Sequence, residues 1–374
     1  MSEQKSYRLT VPVKCHRFRD EEKLQKVLAK QDVTTMVPVH TIQDVLLRPN
    51  ATTKHGFRFS TFAMQQLCSC IAPGLSQVVL SLSKDKPGRK LAIKILNATT
   101  RYQWAKLGGS RLLVDRRAKR VDGIVGPRYQ LLSNADLFTQ CREMALDMHA
   151  VFHEAILEGR RLLLRYRKGA PLVQIPVTVG GKDTRQGFIT GWHFSNSEVG
   201  DRSMNVAPLL IRDGSYYAAM PCPSRVQRLV HIKGPDFSGK VSELLSRLRG
   251  KALDMQALRA ALIRISKTPL GLAGPTLEEL NKHKAALVAK LVKGKLPARL
   301  AEKVVDRVLL HGSERNKVLP AVDLLRTSVL ERGKNRTVYD LFSSLIGLAV
   351  SQDIKSREKL EQLAYRLLVK SFTI

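Results

Sequence analysis

Apolar positions recur with two different periods along this chain, and the changeover near Gly234-Pro235 divides it. Before that point, short alternating runs sit between helical ones. Asp20 to Gln31 is polar with helical spacing, and Thr34 to Leu47 alternates as a strand does. Ser60 to Ile71 predicts a buried helix with Thr61 as its cap, and Gln77 to Ser83 (QVVLSLS) predicts a strand from its β-branched content. Lys84 to Lys90 (KDKPGRK) reads as a turn, and a helix from Leu91 to Leu107 stops at Gly108-Gly109.

The segment after it is the clearest. Arg111 to Asp115 and Val121 to Val125 are alternating runs joined by the basic stretch Arg116 to Arg120, which predicts a β-hairpin. Ser133 or Asn134 then caps a long helix reaching to about Glu158, with Gly159 ending it. Further strands are expected at 161–167, 187–195 and 206–212, the last entering a hairpin at Asp213-Gly214. From Ser238 onward Leu, Ala and Val recur at three- and four-residue spacings, enough for four to six short helices. The expected fold class is therefore α+β: a largely antiparallel sheet with a long packing helix, followed by an all-helical C-terminal region. The expected domains are an N-terminal extension over 1–59, an α+β core over 60–234 and a helical domain over 235–374.

Charge changes this picture from architecture to partner. The 374 residues carry 63 Lys and Arg against 32 Asp and Glu, a formal net charge of +31. The excess is spread, roughly +18 before residue 231 and roughly +13 after it, so no single basic tail accounts for it. At 44% hydrophobic residues the composition is that of a folded chain. A folded chain so far from neutrality repels itself unless a polyanion covers it, and nucleic acid is the usual polyanion.

The densest basic stretch, 84–128, holds thirteen Lys and Arg against three Asp. Lys84, Lys86, Arg89, Lys90, Arg101, Arg116, Arg117, Lys119, Arg120 and Arg128 are its candidate phosphate contacts. Trp104 and Tyr129, with Tyr102 nearby, are candidate stacking surfaces. A second cluster is Arg160, Arg161, Arg165, Arg167 and Lys168. On a strand, Arg161, Arg165 and Arg167 share a face, which should then be wet or covered by phosphate.

Catalytic chemistry has little to stand on. His149 and His153 would sit one helical turn apart, yet Glu154 follows the second histidine, which is not the H-E-x-x-H order. The carboxylates nearest a nuclease pattern, Asp183, Glu198, Asp201 and Asp213, are dispersed, and Glu198 suits a pair with Arg202 or a sheet arginine. Neither Gly108-Gly109-Ser110 nor Gly180-Gly181-Lys182-Asp183 has a Walker ending, and Cys68 and Cys222 have no assignable base. The odd set of five cysteines argues against a disulfide framework. No metal and no cofactor are expected. Met1 to Arg8 has no apolar core of a signal peptide, and no apolar run approaches a membrane span, so a cytoplasmic location is expected.

Three stretches carry a resemblance: Gly123-Ile124-Val125 with Arg128-Tyr129 and Ser133 to Phe138, Asn196 to Gly200 followed by Asn205 to Arg212, and Thr337 to Phe342. Together they resemble an uncharacterised protein family of prophages, plasmids and mobile elements. The family usually shows Cys-x-Asn-Gly where this chain has Asp213-Gly214-Ser215. The resemblance implies mobile-element biology and no defined reaction. The expected function is sequence-independent nucleic-acid binding, DNA before RNA, with annealing of single strands by a homo-oligomer. The alternatives are a metal-dependent nuclease, a replication initiator, or a DNA-condensing structural protein.

Overall fold

The computed structural model describes residues 9–11, 14–31, 35–169, 173–179, 182–220, 227–232, 237–249, 253–270, 277–294, 296–310 and 337–369. Gly180-Gly181, Cys222 and the boundary at Gly234-Pro235 lie outside these residues, as does the side chain of Asp183. The fold is α+β with a helical C-terminal region.

Two sheets organise the chain. The smaller has the order β2-β4-β5-β3, from Thr35–Pro38, Arg111–Asp115, Arg120–Val125 and Arg58–Phe59. Strands β4 and β5 form the expected hairpin. The strand expected over 34–47 is only β2, because Asp44 turns the chain: its carboxylate accepts from the backbone N–H of His40 and Thr41 at 3.0 and 2.7 Å. Three helices pack on this sheet: α2 (Thr61–Ile71), α3 (Leu75–Leu82) and α4 (Lys86–Tyr102). Ser60, not Thr61, caps α2, accepting from Ala63 N–H at 3.0 Å.

The larger sheet is antiparallel and eight-stranded. Its main path is β1 (Cys15–Phe18), β6 (Ala150–Glu158), β7 (Arg161–Lys168), β9 (Lys182–Ser197), β10 (Met204–Arg212) and β11 (Ala218–Ala219). β8 (Val173–Val179) pairs with β9, and β12 (Gln227–Leu229) with β10. The first sixty residues thus give strands to both sheets. One face of the large sheet buries Leu162, Leu164, Phe194 and Val206 against α1 (Glu21–Lys30), α5 (Asn134–Asp147) and α6 (Phe237–Arg249).

Five further helices are described beyond α6: α7 (Met255–Lys267), α8 (Leu277–Lys293), α9 (Ala298–Leu310), α10 (Val338–Ala349) and α11 (Ile354–Val369). They share a core with the far end of the sheet, through Ile175, Phe188, Leu210 and Ala219. The capping box at Thr337 starts α10, its Asp340 carboxylate accepting from Thr337 N–H at 2.8 Å. No helix among the described residues is long and apolar enough to cross a membrane.

Three expected elements differ, each for a local reason. QVVLSLS is helical, because Leu75 and Val79 one turn apart both bury on the core, a period that β-branching obscured. The Pro-Gly pair at 87–88 opens α4: Pro87 needs no N–H there, and Asp85 accepts from Gly88 N–H at 2.7 Å. The helix expected to reach Glu158 stops at Asp147, where His149 takes a φ of 51°, and 150–158 is strand β6. Gly159, with a φ of 60°, is the turn from β6 to β7.

Candidate nucleic-acid interface

Helix α4 carries the first basic ridge. Ala92, Ile93, Leu96 and Thr100 fix its buried side. At 100° per residue, Lys86, Lys90, Lys94 and Arg101 fall within one 80° sector on the side left to solvent, and all four are exposed. None of them has a carboxylate within ion-pair distance among the described residues. The helix is anchored by Asn97, whose side-chain amide donates to Leu47 O at 2.8 Å and accepts from Leu47 N–H at 2.9 Å. Lys84 is exposed before the helix and Arg89 is half-buried in its first turn.

The β4–β5 tip is the second ridge. The Asp115 carboxylate holds the turn by accepting from Ala118 N–H at 2.8 Å, and Lys119 takes a φ of 47°. Arg116, Arg117 and Lys119 are exposed, as is Arg128 beyond the hairpin. Arg120 is different: it is half-buried and locked bidentately on Asp122. Both ridges stand on one core, since Ile93 and Leu96 of α4 share a cluster with Leu112, Val114 and Val121 of the hairpin.

The 160–168 strand corrects the sequence expectation for its arginines. Arg160 is buried where the two sheets meet, donating to Asp115 at 3.0 Å, Asp122 at 3.3 Å and Glu198 at 3.5 Å. Arg165 is fully buried and donates to Glu154 at 3.1 Å and to Glu361. Arg161 pairs with Asp201 at 2.8 Å and lies over the Phe62 ring. The face expected to be wet is covered by α11, which supplies Arg357, Glu358 and Glu361. Buried guanidiniums need carboxylates; for Arg165 one comes from the neighbouring strand and the other, Glu361, from 196 residues away. Arg167 and Lys168 remain half-exposed, Lys168 over the Trp192 ring.

The aromatic assignments also change. Tyr129 is buried, its hydroxyl donating to Ser197 O at 3.1 Å and its ring stacked on His231. Burial raises its hydroxyl pKa, with Glu198 and Asp201 adding to the effect. Trp104 is half-buried against the small-sheet core. Tyr102, the third aromatic, is 86% exposed at the end of α4 beside Arg101. The phase set by Ala92, Ile93, Leu96 and Thr100 puts Tyr102 outside the buried sector, a signal present in the sequence.

Two of the three segments that carried the resemblance meet in space, while Thr337 to Phe342 lies at the start of α10 in the C-terminal core. Asn196 donates to Asn134 Oδ1 at 2.9 Å, and Glu198 accepts from Asn134 N–H at 2.6 Å. Gly200, at a φ of 73°, brings backbone against Val125 and Tyr129 so closely that a Cβ would lie 2.7 Å from Val125. This is a structural junction between the two sheets.

His149 and His153 are not a helical pair, since the first is in a turn and the second on β6. Of the acids considered for nuclease chemistry, Glu198 is paired with Arg160, Asp201 with Arg161, and Asp213 accepts from Gly214 N–H in its turn. Burial pushes the Cys68 thiol up to about 11. Among the described residues no group of three His, Cys, Asp or Glu could hold a metal ion.

No family model matches the chain, and no solved structure matches it. Over 111 residues it is 32% identical to the ATP-dependent zinc metalloprotease FtsH of Thermus thermophilus, covering 30% of this chain and 17% of that protein. Leu157 stands where H-E-x-x-H would place a second histidine after His153.

Proposed function

We propose that this protein binds nucleic acid without reading its sequence, DNA before RNA, through the α4 and hairpin ridges. The observation that carries the reading is how charge is sorted between inside and surface. Among the described residues the fully buried charged groups are six carboxylates, Asp44, Asp122, Glu154, Glu198, Asp340 and Glu361, against three arginines, Arg160, Arg165 and Arg357. Among the described residues the fold withdraws more negative than positive charge, so their surface is more cationic than their composition. Among the described residues Lys86, Lys90, Lys94 and Arg101 on α4 and Arg116, Arg117 and Lys119 on the tip have no carboxylate within ion-pair distance, which leaves them ready to displace counterions from phosphates.

Tyr102 beside Arg101 supports single strands over duplex, because only unpaired bases offer a face to stack on. Pairing of complementary strands along a homo-oligomer of mobile-element origin is the activity this surface suits. The test is binding of fluorescent single- and double-stranded DNA and RNA across a salt series. Steep salt dependence with tightest binding to single-stranded DNA is expected. Replacing Tyr102 by Ala should weaken single-strand binding by about 1–3 kcal/mol and leave duplex binding and thermal stability unchanged. Indifference to all four polymers at low salt refutes the reading.

A further inference from the structure

The large sheet holds a second cationic feature, away from the ridges and concave. Arg19 after β1 and Arg167 on β7 line one pocket of about 310 Å3, and Arg212 at the end of β10 borders it with its guanidinium over the Tyr217 ring, 5.6 Å from the centroid. No carboxylate lies within ion-pair distance of any of the three among the described residues, and the only acid lining the pocket, Asp213, is engaged with Gly214 N–H. Tyr216 forms a wall on which the Arg19 guanidinium lies 4.6 Å from the ring centroid. That stacking fixes one cation in orientation without neutralising it.

The fourth polar group is His153, and its position is built. The β6–β7 register slips between Phe152 and Glu154, so His153 is the extra residue of a β-bulge. A bulge re-aims side chains and persists where that matters. Here it turns Phe152 to one face and Glu154 to the other, leaving the His153 ring against Tyr216, 5.2 Å between centroids, in the pocket lining. His153 Nε2 is buried and has no hydrogen-bond partner. A buried polar atom without a partner costs stability unless a ligand or water completes it. Burial above all holds its pKa down to about 4, with Glu154 opposing the shift and Arg165, Arg167 and Arg357 adding to it.

We infer that this pocket binds a phosphomonoester, with Arg19 and Arg167 on its oxygens and His153 Nε2 completing the shell. Two planar guanidiniums and an imidazole N–H match the several oxygens of a terminal phosphate, whereas a carboxylate offers only two. A backbone phosphodiester has two bridging oxygens esterified and its chain continuing both ways, which suits an open ridge better than a pocket. At this volume the cavity holds a phosphate with little more than a sugar. The source of the phosphate is either a free nucleotide-like molecule or the phosphorylated end of a strand. The inference stands apart from polynucleotide binding on the ridges.

The experiment measures binding to the full chain of four probes: inorganic phosphate, a nucleoside 5′-monophosphate, and one oligonucleotide with a 5′-phosphate or a 5′-hydroxyl. If a strand end is the ligand, the 5′-phosphate should tighten binding about ten-fold, the scale of one charge-assisted hydrogen bond. If a free molecule is the ligand, the monophosphate should bind and raise the melting temperature while the two oligonucleotides remain equal. In either case Arg19→Gln with Arg167→Gln should remove the gain and leave the 5′-hydroxyl strand unaffected. Should that pair fail to fold, exposed Arg19→Gln alone should weaken the same gain. No monophosphate binding together with equal oligonucleotide affinities overturns the inference, as does a gain that survives these substitutions.

Discussion

Arg357 on the last helix grips Glu154 on strand β6 with both terminal nitrogens, one of them 3.1 Å from Glu154 Oε2, across 203 positions of sequence. The same guanidinium donates through Nε to Glu361 at 2.9 Å and through Nη2 to Tyr216 O at 3.1 Å. Arg165 closes the square from β7. Four buried charges, three of them with no exposure at all, hold α11 to the sheet.

Removing one member of such a set leaves its partners charged and dry. Arg357→Met should therefore cost about 3–5 kcal/mol, measured by urea denaturation. Replacing Lys359, also on α11 but exposed, by Met should change little. A loss below about 1 kcal/mol in the Arg357 variant would show that the network does not hold the helix.

The ridge on α4 makes a separable prediction. Changing Lys86, Lys90, Lys94 and Arg101 together to Gln leaves the buried side of the helix untouched. Binding to single-stranded DNA should weaken and the slope of log K against log salt should fall by up to about three units, at ~0.7 per phosphate contact. Helicity by circular dichroism should be unchanged. An unaltered slope would move the interface elsewhere.

What the sequence disclosed and what it hid follow from the range of each interaction. The 111–125 hairpin was legible because alternation and a polar turn are local. So were α1 and the helical C-terminal region, whose periods run over many residues. Gln77 to Ser83 misled because in a seven-residue window β-branching outweighed the i, i+4 pair Leu75 and Val79. The arginines of β7 misled for a longer-range reason: nothing near Arg165 announces that Glu361 will cover it. Of the basic candidates, Lys86, Lys90 and Arg101 on α4 and Arg116, Arg117 and Lys119 at the tip are exposed, Arg89 and Arg120 are half-buried, and Arg160 and Arg165, which meet acids from other elements, are buried.

Acid should find His153 before most of the core. Its folded pKa of about 4 lies below the usual 6.5, because burial and then three arginine charges oppose its protonation despite Glu154 beside it. Between pH 6.5 and 4 the unfolded chain binds the proton more readily, so stability is full above that window and declines as pH falls through it. The contribution is up to ~3 kcal/mol from that shift. His153→Gln should make the melting temperature fall less steeply from pH 6.5 to 4 than in the parent protein. Parallel curves would mean the ring is solvated.

The hairpin tip separates affinity from stability within five residues. Arg116 and Arg117 are exposed, and Ala at both should lower nucleic-acid affinity with the fold intact. Lys119 sits at a φ of 47°, where Ala is strained, so Lys119→Gly is the substitution that isolates its charge. Arg120 belongs with Asp115, Asp122 and Arg160 in the junction between the sheets. Arg120→Ala should therefore destabilise by about 1–3 kcal/mol, because Asp122 is left 4% exposed with one arginine fewer. Thermal melts and salt-series binding on the two variants give opposite patterns if the assignment holds. A tip variant that melts early but binds normally would reverse the roles of Arg116 and Arg117 on one side and Arg120 on the other.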